Sequence, residues 1–156
     1  MYKQILSPVD GSPTSNRGVI EAIRLAKDQS AELRFLHVAD AHLGTIDMSG
    51  AVNMGAVLDI LRQAGAEILA AAKALAVEEG IAAETVMVDS MIGRIGEEVV
   101  RQAKAWPADL IVMGTHGRRG VSHLFMGSDA ETVIRTSPVP ILLVRYAQDE
   151  SKLVQG

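Results

Sequence analysis

Short apolar runs alternate with stretches of helical period from one end of this chain to the other. The first run, residues 2–9 (YKQILSPV), predicts a short buried strand. Asp10-Gly11 then marks a turn, with Ser12 as an N-cap and Pro13 at the first helical position. Val19, Ile20, Ile23 and Ala26 recur at helical spacing, so a helix is expected to about Gln29. Residues 32–39 (ELRFLHVA) predict a second strand, and residues 40–50 form a loop without clear period. A long helix is expected from about Val52 to Glu79, with Leu58, Leu61, Ile68, Leu69 and Leu75 as its apolar stripe and Gly80 as its C′ residue. Residues 82–89 predict the third strand, Gly96 to Ala105 the third helix, and residues 109–113 the fourth strand. Trp106-Pro107 ends that third helix, because proline cannot continue it. A fourth helix runs from Ser128 to about Thr136, and residues 140–145 (PILLVR) close the pattern as a fifth strand.

The order is β-α-β-α-β-α-β-α-β. Continuous apolar strands alternating with helices imply an α/β fold: three layers, with a parallel sheet covered on both faces. Right-handed crossovers leave two common strand orders, 2-1-3-4-5 and 3-2-1-4-5. Ligands bind such sheets at the strand carboxyl ends, where the order reverses. A glycine-rich loop follows strand four and an Asp-Gly turn follows strand one, which favours 3-2-1-4-5 and sets Asp10 beside Gly114.

Composition narrows the function. The 156 residues suit one domain, taken as 1–146 with a polar tail at 147–156. A net charge of −4 without a Lys/Arg block lacks the footprint of nucleic-acid binding, and 3% aromatic residues give few stacking platforms. The absence of cysteine excludes disulfides, thiol catalysis and Cys-ligated zinc. No apolar run approaches membrane-spanning length and no secretory segment opens the chain, so a cytoplasmic protein without a membrane partner is expected.

The candidate chemistry concentrates in residues 110–128, LIVMGTHGRRGVSHLFMGS. A buried strand stops at Gly114, Gly117 follows, and Gly127-Ser128 stands at a helix start. Helix N-termini present unpaired N–H groups and partial positive charge, and glycine lets a phosphate approach the backbone. The same glycines could simply serve a long loop, and Ser128 with Glu131 reads as a capping box. Asp10 suits an Asx-turn equally well as a bond to a ribose hydroxyl or a metal. Arg118 and Arg119 stand where they could close over an anion, and His116 could bond a phosphate. His37, His42 and His123 lack metal-ligand spacing and read as structural or exposed. No Ser-His-Asp elbow and no paired carboxylates are evident. Asp89 and Thr115 match part of a phosphoacceptor signalling domain, but the acidic pair after strand one and the lysine after strand five are absent.

Gly114-x-x-Gly117, nine residues, then Gly127-Ser128 resembles the G-2x-G-9x-G-[ST] signature of universal stress proteins of the ATP-binding class. Residues 7–12 (SPVDGS), Leu36-His37-Val38 and residues 137–144 (SPVPILLV) are similar to three further segments of that family, so the likeness spans about residues 2–145. The resemblance implies a single-domain, Rossmann-like fold of the adenine nucleotide alpha hydrolase type, order 3-2-1-4-5, with ATP at the switch point. By matching position, Pro8, Val9, Asp10 and Val38 would line the adenosine and Val88 would flank the base. Met113, Gly114, Gly117, Gly127 and Ser128 would surround ribose and phosphates, with Mg2+ or Mn2+ bridging the phosphates and no dedicated protein ligands for the ion. The family also implies a homodimer through strand five, an unidentified protein partner that reads the nucleotide state, and at most slow ATP hydrolysis or self-phosphorylation. Asp129 departs from the family's usual apolar residue after G-[ST], placing a carboxylate near the phosphates. Three other readings stand beside this one: another adenine nucleotide such as cyclic AMP, phosphate acceptance at Asp89, and a nucleotide-free interaction protein.

Overall fold

The computed structural model describes residues 1–42, 53–116 and 126–145. The strands are β1 (Gln4–Pro8), β2 (Glu32–Asp40), β3 (Ala83–Ser90), β4 (Leu110–Gly114) and β5 (Ile141–Val144). The helices are α1 (Pro13–Gln29), α2 (Met54–Glu78), α3 (Ile95–Ala105) and α4 (Ser128–Thr136). Every element expected from the pattern is present, with ends displaced by no more than two residues. The sheet is parallel throughout, in the order β3-β2-β1-β4-β5. The strand order reverses between β1 and β4, where Ile5 and Leu6 pair with Leu110 and Ile111.

Alternation along each strand builds one core on each face of the sheet. Ile5, Leu33, Phe35, Leu110 and Val112 pack with Val19 and Ile23 of α1 and Leu69 and Ala72 of α2. Leu6, Leu36, Val38, Ile111 and Met113 pack with Val99 and Val100 of α3 and Ala130 and Val133 of α4. Asp109 anchors the opposite end of the sheet, its carboxylate accepting the Lys3 and Gln4 N–H groups at 2.8 and 3.0 Å.

Three local details differ from the sequence pattern. The buried stripe of α2 is Gly65, Leu69, Ala72 and Ala76, while Leu75 is exposed. Small residues win because the helix packs closely: a Cβ on Gly65 would stand 2.5 Å from the His37 ring. This helix is also capped by Asn53, whose side chain accepts the Gly55 and Ala56 N–H groups. The third difference corrects the capping box. Gly127, not Ser128, is the N-cap of α4, and no side chain caps it. Its carbonyl accepts the Glu131 N–H at 3.0 Å, and its own N–H donates to the Thr115 carbonyl at 3.0 Å. That second bond ties the start of α4 to the end of β4. Glu131 is thereby one residue too far along to reach back, and it pairs with Arg135 instead.

Candidate functional site

The C-terminal ends of β1, β2 and β4 surround an open crevice, about 580 Å3 of empty space including its solvent-filled mouth. Pro8, Val9 and Asp10 line it from β1, and Leu36, His37 and Val38 from β2. Met113, Gly114 and His116 line it from β4 and the residues after it. Ser15 of α1, Ile95 and Val99 of α3, and Asp129 of α4 complete the wall. Leu36, Val38, Ile95 and Val99 give the lining an apolar stretch, and Asp10 and Asp129 are its acidic residues. Helices following β1, β3 and β4 all start at this end, so their positive dipole ends converge on it.

The turn after β1 is locally determined. Asp10 accepts the Ser12 N–H at 2.8 Å, an Asx-turn. Ser15 Oγ accepts the Asp10 N–H at 3.0 Å, and Ser12 caps α1 through the Ser15 N–H. Gly11 takes φ +78°, a conformation that favours glycine. The structural reading of Asp10 is thus correct, and its position on the crevice wall keeps the ligand reading open.

His37 is buried, and its Nδ1–H donates to the Val9 carbonyl at 2.7 Å. With the Val9 N–H donating to the Leu36 carbonyl at 2.8 Å, this holds the ends of β1 and β2 together below the crevice. Gly114 faces α1 across a gap with no room for a Cβ: one would lie 2.9 Å from the Thr14 backbone. On the outer edge, Arg62 holds both Asp89 oxygens, at 3.2 and 2.6 Å. Those hydrogen bonds keep the Asp89 carboxyl below the usual carboxylate range. Asp89 is not part of the crevice wall, and its engagement by Arg62 leaves the phosphoacceptor reading without support.

Of the residues singled out from sequence, the crevice brings together Pro8, Val9, Asp10, Val38, Met113, Gly114, His116 and Asp129. Val88 pairs with Val38 on the neighbouring strand but does not line the crevice. Gly127 and Ser128 stand at the start of α4, adjacent to Asp129 but not in the lining. Gly117, Arg118, Arg119 and His123 lie outside the described residues. The structure adds Ser15, Leu36, His37, Ile95 and Val99. For His37 a signal existed, since it stands near a strand carboxyl end; Val99 read only as helix core, and Ile95 fell in the loop before the expected helix. Among the described residues, no group of three or more His, Asp or Glu stands close enough to hold a metal ion. Nor is any described helix long and apolar enough to cross a membrane.

The pattern of the Universal stress protein family matches residues 1–145 of this chain. The chain belongs to that family. A universal stress protein of Methanocaldococcus jannaschii is 33% identical over 150 residues, covering 96% of this chain and 86% of the relative. Universal stress protein YxiE of Bacillus subtilis is 33% identical over 151 residues, covering 93% and 100%. Among solved structures, that of the protein MJ0577 superposes with a TM-score of 0.80 at 25% identity, covering 96% of this chain and 99% of the other. A universal stress protein in complex with cAMP has a TM-score of 0.69 at 23% identity, covering 94% and 99%. An Archaeoglobus fulgidus universal stress protein in complex with dAMP has 0.68 at 22%, covering 92% and 98%. At these last identities the similarity is one of fold.

Proposed function

We propose that this universal stress protein binds an adenine nucleotide, ATP in the first instance, in the crevice between β1 and β4. The observation that carries the reading is the crevice's position at the point where the strand order reverses, with one apolar wall and converging helix N-termini. Two proteins of the same fold are in complex with adenine nucleotides, cAMP and dAMP. In this reading the apolar wall of Leu36, Val38, Ile95 and Val99 takes the adenine. Asp10 bonds the ribose, and the phosphates lie toward Gly114, Gly127 and Ser128; Gly117 and Arg118, outside the described residues, are expected by the family spacing to take part. A divalent ion, Mg2+ or Mn2+, would be held by the phosphates rather than by a protein cage. The surface of the nucleotide-bound form is read by a protein partner. The role in this reading is regulatory, with at most slow hydrolysis or self-phosphorylation.

The direct test is to purify the protein without added ligand, denature it and identify released nucleotide by mass spectrometry, then titrate ATP and cyclic AMP calorimetrically. Release or micromolar-range binding of an adenine nucleotide is expected. No released nucleotide together with no heat from either titrant would overturn the reading and favour a nucleotide-free interaction protein.

Asp129 gives the cyclic AMP reading its own support. A carboxylate on the phosphate side opposes a polyphosphate more than a single phosphate. Asp129→Ala is expected to tighten ATP binding about fivefold, roughly 1 kcal/mol, and to change cyclic AMP binding less. Equal or weaker ATP binding by the variant would remove Asp129 from the site.

The homodimer rests on β5. Among the described residues it is an edge strand paired only with β4, and Ile141, Leu142, Leu143 and Val144 are all half-buried. An apolar edge strand is a template for pairing with a second copy. Light scattering at high protein concentration should give the dimer mass, and a monomer mass would remove the claim.

A further inference from the structure

The two ring nitrogens of His116 are in different situations. Nδ1 lies 2.8 Å from the Thr115 hydroxyl. Nε2 is buried without a hydrogen-bond partner, although the residue lines the crevice. Among the described residues, the other buried side-chain atom in that condition is Ser7 Oγ, which does not line the crevice. Buried polar groups are normally paired, so a stranded nitrogen in a crevice wall points to a partner that arrives with a ligand.

The hydrogen-bond count assigns the tautomer. If Nδ1–H donated to Thr115 Oγ1, the hydroxyl hydrogen and the Nε2 lone pair would both be stranded. If the Thr115 hydroxyl donates to Nδ1, only Nε2–H is left over. The second arrangement strands fewer groups. Thr115 is itself held in place: its N–H donates to the Val144 carbonyl and its carbonyl accepts the Gly127 N–H, each at 3.0 Å. The imidazole is therefore pinned beside the first turn of α4, where negative charge is favoured.

We propose that His116 is a ligand-contact residue, held as the Nε2–H tautomer by Thr115 and donating to a phosphate oxygen of the bound molecule. This rests on the nucleotide reading above. A phosphate is the acceptor because the Thr115–Gly127 bond sets this residue beside the start of α4, where negative charge is favoured. The bond completes a donor that the protein alone leaves unsatisfied, so removing it weakens binding without weakening the fold.

The test compares AMP with adenosine by calorimetry, using wild type, His116→Asn and His116→Gln. Asparagine keeps an acceptor near Nδ1 and has nothing at Nε2, whereas glutamine reaches the Nε2 position with an amide donor. His116→Asn should lose about tenfold in AMP affinity with adenosine unchanged, and His116→Gln should stay within about threefold of wild type. The ligand-free melting temperature of His116→Asn should not fall. Nitrogen-15 NMR should show Nε2 protonated in wild type, and Thr115→Val should erode that preference. AMP binding by His116→Asn at the wild-type level would overturn the proposal. So would an equal loss for adenosine, an Nδ1–H tautomer, or a fall in ligand-free melting temperature that accounts for the weaker binding. If wild type binds neither AMP nor adenosine, the nucleotide reading fails and this proposal with it. If wild type binds and His116→Asn matches it, only the role of His116 fails.

Discussion

Gly114→Ala is expected to destabilise the protein by about 2–3 kcal/mol, the cost of forcing a methyl into a packed contact. The added Cβ would meet the carbonyl carbon, carbonyl oxygen and Cγ2 of Thr14 at 2.9 Å. Backbone atoms of a helix cannot swing aside as the end of a side chain can, so α1 must move as a body. The start of α1 carries the Asp10–Ser12 turn and Ser15, so the same shift opens the crevice wall. For a chain of this size the melting temperature should fall by roughly 5–10 °C, with an unchanged denaturant m value. Gly18→Ala is the control. It touches the same seam from the helix side at 3.3 Å, a tight contact that needs only a few tenths of an ångström of give, and alanine gains helix propensity there. Its net effect should be small. A Gly114→Ala variant that melts with wild type would show that the seam yields freely and that this close approach does not hold α1 in place.

Asp10 separates stability from binding. Asp10→Ala removes the acceptor for the Ser12 N–H and is expected to cost about 1–2 kcal/mol, as loss of a comparable capping interaction does. It should also weaken nucleotide binding about tenfold or more, through the lost ligand bond and the loosened turn. Asp10→Asn keeps an oxygen for the turn but has no carboxylate. Its thermal stability should stay near wild type while nucleotide affinity falls about tenfold, reflecting a charge-assisted bond to a ribose hydroxyl. Chemical denaturation and calorimetry on the two variants read the two roles independently. Wild-type affinity in Asp10→Asn would reduce Asp10 to a turn residue.

These two residues show where sequence reasoning reached and where it stopped. At both, the residue type was informative and its cause was not. Gly114 was singled out among the residues about the ribose and phosphates, but the structure gives it another necessity, the approach of Thr14 at the start of α1. Asp10 was left between turn and ligand, and the structure contains the turn bond and also the crevice position. Ser128 went the other way. Its capping box matched in sequence, yet Gly127 became the N-cap because its N–H is tied to Thr115 at the end of β4. A local motif was overridden by a bond between elements.

The hydrophobic pattern by itself determined the nine elements, the α/β class and, with the handedness of crossovers, a choice of two strand orders. Those are local or topological matters, set by side-chain period and by chirality. The glycine spacing added the family and the end of the sheet on which to look. Only the tertiary structure decided which residues share the crevice, because its walls come from β1, β2, β4 and three helices far apart in the chain. Only it showed that Val88 stands one strand too far out, that Ile95 and Val99 line the crevice, and that His116 carries a buried ring nitrogen without a partner. Such facts depend on distances between elements, and no periodicity within a single element encodes them.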